Sequence, residues 1–389
     1  MAVPFKRVVF RLHWLLGLTA GVVLCLIGST GALMAFKDEC LQWLNPALEI
    51  PAAGRAPLSP DRWLEKVRTS HVEAAPAGFV WSGNEHAVEV RLAGRSPGGG
   101  QRVLLDPYTG DELPAQTGAA FFATVEQLHK NLAIGAVGKQ IVGASTICVV
   151  LFGLSGLFLR WPARNKTSAS TWLAVDGRLK GRGYLRQWHL ILGSWVLVLH
   201  LVAMLSGLWF AYDFYRAGVS ALVGAPAPQE RRPRGEGGKP DAPIPAASLD
   251  AVWAAFLAQT PTATRAMVNF PREAQAPIEV RYLETDSPHP RAFSSASFFA
   301  DGRPNGGKVY AELPRGQRFV AAMFPLHSGE LFGLPGRIAM LLGALSMPFF
   351  AITGWVLWFW RRRLSAKSRV LPVRAPAIAE PTDLRDVPA

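Results

Sequence analysis

The chain has 389 residues, half of them hydrophobic, and a formal net charge of +13. A charge of this sign could indicate a nucleic-acid partner. However, most of the excess lysine and arginine lies beside long apolar stretches, so the sequence favours a membrane protein and no nucleic acid. The three cysteines have no paired spacing, which excludes a disulfide framework, and the sequence contains no P-loop, dinucleotide fingerprint or H-E-x-x-H motif.

Four stretches are long and apolar enough to cross a bilayer, which takes about 20 helical residues. The first could be a secretory signal, but it is too long and lacks a clear small-residue cleavage site, so we expect it to be retained. Basic residues cluster before the first span, between the second and third, and after the fourth, so the positive-inside rule places both termini in the cytoplasm. The predicted membrane and cytoplasmic segments are 1–36 (N-terminus and first span), 137–161, 162–186 (cytoplasmic loop), 187–214, 333–360 and 361–389 (cytoplasmic tail, expected to be disordered).

The two long segments between spans, residues 37–136 and 215–332, are predicted to lie on the opposite side of the membrane. Each contains one helical stretch followed by alternating, strand-forming stretches, so each is expected to form a small α+β unit. In the first unit the predicted elements are a helix from Ser59 to Ser70, strands at Phe79, Ala87 and Gln101, and turns at Ser96 and Asp106. In the second they are a Pro- and Gly-rich linker from Ala225, a helix from Ser248 to Gln259, and strands near Ala266, Ile278, Ala296 and Val309.

The membrane segments of the two halves of the chain repeat one another. Residues 128–162 align without a gap on 326–360, and residues 11–36 align on 187–212. The alignments superpose two pairs of histidines, His13 on His189 and His129 on His327. The sequence therefore predicts a mainly α membrane protein with four transmembrane helices, in which a unit of helix, α+β domain and helix is used twice.

The histidines at the cytoplasmic ends of spans one and three are candidate metal ligands. His13 and His189 occupy equivalent positions at the same depth, and pseudo-twofold packing would bring them together. An isolated histidine at a membrane boundary is usually a plain interfacial side chain. A matched pair is different, because neutral imidazole is the commonest side-chain metal ligand and a buried imidazole without a partner costs stability. The pair is predicted to bind an inner haem.

A second candidate site lies toward the outer side. His200 follows His189 by eleven residues, which on a helix is about three turns and a rise of about 16 Å on the same face. His129 and His327 lie just before spans two and four. We expect His200 and one of these two to bind an outer haem, and a pair of His129 with His327 is the alternative. Span one has Leu24 where span three has His200, so the repeat alone does not build this site.

Two cations and three further histidines complete the polar candidates. Lys139 and Arg337 end the stretches GAVGK and GLPGR, where glycines would let a flat macrocycle or a helix approach and the cation could meet a haem propionate. The remaining histidines lie in polar outer segments without a matching partner in the repeat, and are expected to be ordinary surface residues. They are His71, His86 and His289.

Short motifs in this order resemble the PepSY-associated transmembrane family. They are a Leu-His at the start of a span, the strand and turn VLLDPYTGD, an LHxxL segment, and a Ser-Gly or Thr-Gly near the end of the next span. The resemblance covers nearly the whole chain up to about Lys367, and the α+β units are then PepSY-like. The second unit departs from the pattern, because its last predicted strand, KVYAELPRG, lacks the Asp-Pro-Tyr-Thr-Gly turn.

The family includes bacterial inner-membrane haem proteins that reduce iron siderophores, so the resemblance implies a haem-dependent ferric siderophore reductase. Two non-covalent b-type haems are expected, since the sequence has no C-x-x-C-H motif for covalent attachment. The implied partners are a ferric siderophore, a cytoplasmic or quinol electron donor and the lipid membrane. The alternative is a siderophore- or peptide-binding transporter or sensor whose membrane part is only an anchor or channel.

Overall fold

The computed structural model describes residues 2–93, 101–161, 172, 174–226, 248–271 and 276–370. The predicted turn at Ser96, most of the linker from Ala225 and the tail beyond residue 370 lie outside the described residues. The described helices are α1 (Ala2–Met34), α2 (Lys37–Leu44), α3 (Pro60–Ser70), α4 (Ala119–Asn131), α5 (Gly135–Arg160), α6 (Gly181–Trp195), α7 (Leu197–Ala211), α8 (Asp213–Leu222), α9 (Leu249–Gln259), α10 (Arg315–Ala321), α11 (Met323–Ser328) and α12 (Gly333–Val370).

Within this part of the chain, three helices are long and apolar enough to cross a membrane, namely α1, α5 and α12. The third span, predicted as one helix over 187–214, is instead broken: α6 and α7 meet at Val196 with a bend of 58° and together can form a fourth span. The Arg160 guanidinium and the Ser194 hydroxyl both donate to the carbonyl oxygen of Leu190, shortly before the break. Side-chain donors that compete for the backbone carbonyls of a helix are a recognised cause of such bends.

The membrane helices pack side by side, and short helices cover their outer ends. Helix α1 packs against α5 and α12, while α7 packs against α5 and both α6 and α7 pack against α12. Helix α4 lies against the ends of α1 and α5, and α11 lies against α7. These two short helices, α4 and α11, therefore bring their own side chains over the membrane bundle.

Eight strands of the described chain form one continuous antiparallel sheet in the order β4-β3-β2-β1-β5-β6-β7-β8. The sequence predicted two separate α+β domains, whereas the structure joins their strands through antiparallel pairing of β1 with β5. Pairing these two edges removes two rows of unpaired backbone groups, which is a physical reason for the fusion. The strands are β1 (Pro76–Trp81), β2 (Val88–Leu92), β3 (Arg102–Leu105), β4 (Glu112–Leu113), β5 (Ala263–Asn269), β6 (Ile278–Glu284), β7 (Ser294–Phe298) and β8 (Pro304–Lys308).

Helices α3 and α9 cover one face of this sheet and share its core. Trp63 of α3 and Phe256 of α9 are almost fully buried against Phe79 and the other inward-facing strand residues. The first turns of the two helices cap each other. The Asp250 carboxylate accepts the backbone N–H of Asp61 at 2.9 Å, and the Asp61 carboxylate accepts the N–H of Leu249 at 3.1 Å. Carboxylates at helix N-termini satisfy donors that the helix itself leaves unpaired, so these contacts tie the two halves of the sheet domain together.

Candidate functional site: four histidines in two pairs

The inner pair of histidines sits on α1 and α6, two helices whose main neighbours are α5 and α12. His13 Nδ1 and the Ser155 hydroxyl of α5 are 2.7 Å apart, and His189 Nδ1 and the Thr353 hydroxyl of α12 are also 2.7 Å apart. Both histidine-bearing helices pack against α5 and α12. The structure therefore places the two residues that the sequence predicts as the inner ligands at the same end of the bundle.

The outer pair sits on the two short helices above the bundle. The ring centres of His129 on α4 and His327 on α11 are 6.2 Å apart, with an angle of 62° between the ring planes. Each ring is held through Nδ1 by the outer end of a membrane helix. The partners of His129 Nδ1 are the Ile27 carbonyl at 3.0 Å and the Thr30 hydroxyl at 3.2 Å. The partners of His327 Nδ1 are the Ala203 carbonyl at 3.1 Å and the Ser206 hydroxyl at 3.0 Å.

The partners of Nδ1 indicate where the imidazole proton lies. At the outer pair a backbone carbonyl, which can only accept, contacts Nδ1, so Nδ1 donates. At the inner pair each hydroxyl can donate to the carbonyl four residues earlier in its helix, which leaves its oxygen to accept from Nδ1. The proton is therefore on Nδ1, and Nε2 carries the lone pair that a metal needs, as is usual where a second residue orients a ligating histidine. The carbonyl acceptors are Leu26 for Thr30, Leu151 for Ser155, Val202 for Ser206 and Phe349 for Thr353.

A glycine follows each of these hydroxyl residues, and Gly31, Gly156 and Gly207 each face a histidine ring. A Cβ at Gly31 would lie 3.2 Å from Cε1 of His129, and one at Gly207 would lie 3.5 Å from Cε1 of His327. The corresponding distance from Gly156 to His13 is 3.7 Å. At these three positions the hydroxyl–glycine pair therefore combines a hydrogen-bond partner with a small residue that faces the imidazole. This role was missed from the sequence, although a hydroxyl–glycine pair in every span was the signal for it.

His200 differs from the other four histidines. Its Nε2 lies 3.1 Å from the Gly343 carbonyl and 2.8 Å from the Ser346 hydroxyl, and that hydroxyl donates to the same carbonyl. A carbonyl can only accept, so His200 carries its proton on Nε2 and turns that nitrogen toward α12. The geometry thus favours the His129 and His327 pair, which the sequence left as an alternative, over the expected pairing with His200.

An aromatic ring links His200 to the inner pair. The ring of Phe350 on α12 lies 5.2 Å from the ring of His189 and 5.8 Å from that of His200, edge to face in both cases. Edge-to-face contacts at these distances are favourable aromatic packing. His200 therefore belongs to the packed interior between the two pairs.

The outer imidazoles are held in their neutral form. Burial lowers the pKa of His129, and burial together with repulsion from His129 lowers the pKa of His327 to about 4. Metal coordination requires a neutral imidazole, so this environment prepares the pair to act as ligands at neutral pH.

The structure also bears on two other residues from the sequence analysis, His289 and Arg337. His289 is buried, not on the surface as predicted, and its Nε2 pairs with the Tyr310 hydroxyl at 2.9 Å. The Arg337 guanidinium forms a bidentate ion pair with the Glu39 carboxylate and also donates to the Ala35 carbonyl, so its charge is already matched within the protein.

The donor set fits a planar tetradentate cofactor better than a bare metal ion. The ring centres of the outer pair lie 6.2 Å apart, so these two histidines could together hold one metal centre. In the described part of the chain, no cluster of three or more His, Cys, Asp or Glu residues could hold an ion by itself. A haem would supply the other ligands itself, so two histidines would be sufficient to hold it.

Comparison with known families agrees with the membrane architecture. The family profile described as the PepSY-associated TM region matches residues 10–362, which is nearly the whole chain and includes all five candidate histidines. A search of curated proteins found no match. The chain therefore belongs to the PepSY-associated transmembrane family.

Proposed function

We propose that this protein is a di-haem oxidoreductase of the bacterial inner membrane that passes electrons to ferric siderophore iron on the outer side and releases ferrous iron. One observation carries the proposal: four histidines form two pairs near opposite ends of the helical bundle, each with Nδ1 bound to a hydroxyl. On α1, His13 lies at the inner level and Thr30 at the outer level, and their spacing of seventeen positions corresponds to about 25 Å of helix.

The residues of the chain hold and tune the cofactor. When bound, haem supplies one-electron transfer, with a reduction potential that depends on its axial ligands and on the polarity around them. The imidazoles would hold the haem iron, and the hydroxyls would hold the rings in orientation and raise their basicity. The substrate gains one electron, so ferric iron becomes ferrous and no covalent bond of the protein changes.

Matching contacts in the two halves support a duplicated unit. His13 with Ser155 corresponds to His189 with Thr353, and the contacts of His129 correspond in the same way to those of His327. The sheet order is likewise symmetric about the junction of β1 with β5. We infer that each half contributes one ligand to each haem, so neither half can build a site alone.

The distribution of charge supports the orientation. Basic residues cluster near the inner pair, at the start of α1, the start of α6 and the end of the described part of α12. The sheet domain connects to the opposite ends of the helices, so it would face the periplasm with both termini in the cytoplasm. The electron donor would then be a cytoplasmic protein or a membrane quinol.

The substrate class rests on the family resemblance and is tested directly. Purified protein with bound haem is reduced chemically and mixed with an excess of a ferric siderophore, while a ferrous chelator such as ferrozine records the release of iron. We expect rapid loss of the reduced haem bands and the appearance of ferrous chelate. His129→Ala should slow this step, while His86→Ala, on the sheet domain, should not. Reduced bands that persist for minutes would contradict the reductase and favour a sensor.

A further inference from the structure

Helix α8 exposes an apolar face. Apart from Asp213 at its start, the exposed residues of this helix recur every three or four positions, so they share one side of it. The two largest side chains on this side, Phe214 and Leu222, are 74% and 85% exposed. A helix whose outer side faces water normally carries polar residues there, so α8 has the reverse arrangement. The face consists of Phe214, Ala217, Gly218, Ala221 and Leu222.

The opposite side of α8 packs against the protein. Tyr215 packs against a buried cluster of membrane-helix residues. The Arg216 guanidinium donates to the Trp209 carbonyl at 3.2 Å and pairs with the Asp213 carboxylate at 3.4 Å. Ser220 is buried. The inner side of the helix therefore already has its partners, and it also holds the polar groups. The cluster that Tyr215 contacts consists of Leu24, Val149, Met204 and Leu208.

Contacts at both ends fix the position of α8 along the bundle. Tyr212, which precedes α8, lies so close to α5 that a Cβ at Gly143 would be 2.6 Å from its hydroxyl oxygen. Gly143 is eight residues into the span α5, which is about 12 Å along that helix. At the other end there is no room for a Cβ at Gly316 of α10 beside the carbonyl oxygen of Val223. Helix α8 therefore lies beside the outer ends of the membrane helices.

The other half of the chain has a short helix at the matching position. The alignment of 11–36 on 187–212, continued by one residue, places Lys37 on Asp213, and these are the first residues of α2 and α8. Trp43 of α2 is 80% exposed. Tryptophan is enriched where a membrane meets water, so an exposed tryptophan on this helix is consistent with the level of the membrane surface.

We propose that α8 lies in the outer interface of the membrane, with its apolar face in contact with lipid acyl chains. The broken span of α6 and α7 leads directly into α8, so the bilayer that surrounds this span is continuous with the exposed face. Helices with one apolar face bury that face about 5–10 Å into the boundary between headgroups and acyl chains. This contact anchors α8 and, through its packing on α10, the segment that leads to His327 on α11.

Spin labels distinguish lipid from water and from protein at this face. The full-length protein, with its three cysteines replaced by alanine, carries a nitroxide at Leu222→Cys in vesicles of phosphatidylethanolamine and phosphatidylglycerol. Oxygen concentrates in lipid and a polar nickel chelate stays in water, so power saturation with each reagent gives a ratio that reports the surroundings of the label. We expect a ratio several-fold above that at Val72→Cys, which is exposed in the turn after α3, and nearer to that at Val198→Cys, which is exposed on α7.

Two other outcomes would overturn the proposal. A ratio like that at Val72 would place the face in water. A label shielded from both reagents, or broadened by a second label nearby, would show that a protein surface covers the face. Ala217→Cys on the same face gives a second reading. If the cysteine-free protein does not fold, p-benzoylphenylalanine in place of Phe214 in the otherwise unchanged protein decides the question: photocrosslinks to lipid support the proposal, and crosslinks only to protein, or none, refute it.

Discussion

Replacing Thr353 by valine should selectively weaken the inner haem site. Thr353 is only 3% exposed, and its hydroxyl is the one partner of His189 Nδ1 that the structure describes. Valine has nearly the same shape, so the main loss is the hydrogen bond that orients the imidazole. Loss of such a partner typically lowers metal affinity by about 10- to 100-fold, or about 1.4–2.8 kcal/mol.

The chain offers two matched controls for this change. Thr353→Ser keeps the hydroxyl and should keep the affinity. Ser206→Ala removes the corresponding hydroxyl at the outer site, but His327 Nδ1 still has the Ala203 carbonyl as a partner, so the loss there should be less than about tenfold. The assay is titration of haem-free protein with haem, followed by the Soret absorbance. Equal affinities for Thr353→Val, Thr353→Ser and wild type would refute the hydroxyl's role in orienting the ligand.

Other perturbations test the remaining parts of the account. His189→Ala should remove one of two haems and leave the outer one, since the sites are several helical turns apart; loss of both in a haem assay would argue against separate sites. Phe350→Leu should keep both haems and slow electron transfer between them in stopped-flow reduction, whereas an unchanged rate would show that the ring is only packing. Asp61→Ala removes the carboxylate that caps the start of α9 and should cost about 1–2 kcal/mol in thermal unfolding, while the exposed Glu65→Ala should cost far less. The folded-state pKa of His327 is about 4 and its ordinary value is 6.5, so the unfolded chain binds more protons between these values. The haem-free protein should therefore lose stability as pH falls from 6.5 toward 4, and a flat Tm over this range would contradict that.

Local patterns were sufficient to predict most elements of the fold. Apolar length located the membrane helices, and alternation with turn residues located the strands around Phe79 and Ile278. The break at Val196 was not predictable, because no proline interrupts that stretch and the disturbance comes from Arg160 of a different helix. The pairing of β1 with β5 could not be predicted either, since it joins strands more than 180 residues apart in sequence.

For the candidate site too, one part could be predicted from the sequence and another part depends on tertiary contacts. Internal repetition was enough to select His13, His189, His129 and His327, because matched positions stand out without a structure. The pairing at the outer level depends on tertiary contacts. His200 is at a suitable spacing on its helix, but its Nε2–H donates to the Gly343 carbonyl on another helix, so that nitrogen is turned toward α12. Only the packing of α7 against α12 reveals this.

The central claim, that two histidine pairs each hold a haem, is tested most directly by haem stoichiometry. Protein purified from cells supplied with iron should give a pyridine haemochrome of the b type, with about two haems per polypeptide because two separate pairs of ligands are present. Its reduced spectrum should show a sharp Soret band with resolved α and β bands, as expected for paired imidazoles. One haem per chain would leave a single pair as the binding site, and a protein without haem would contradict the account.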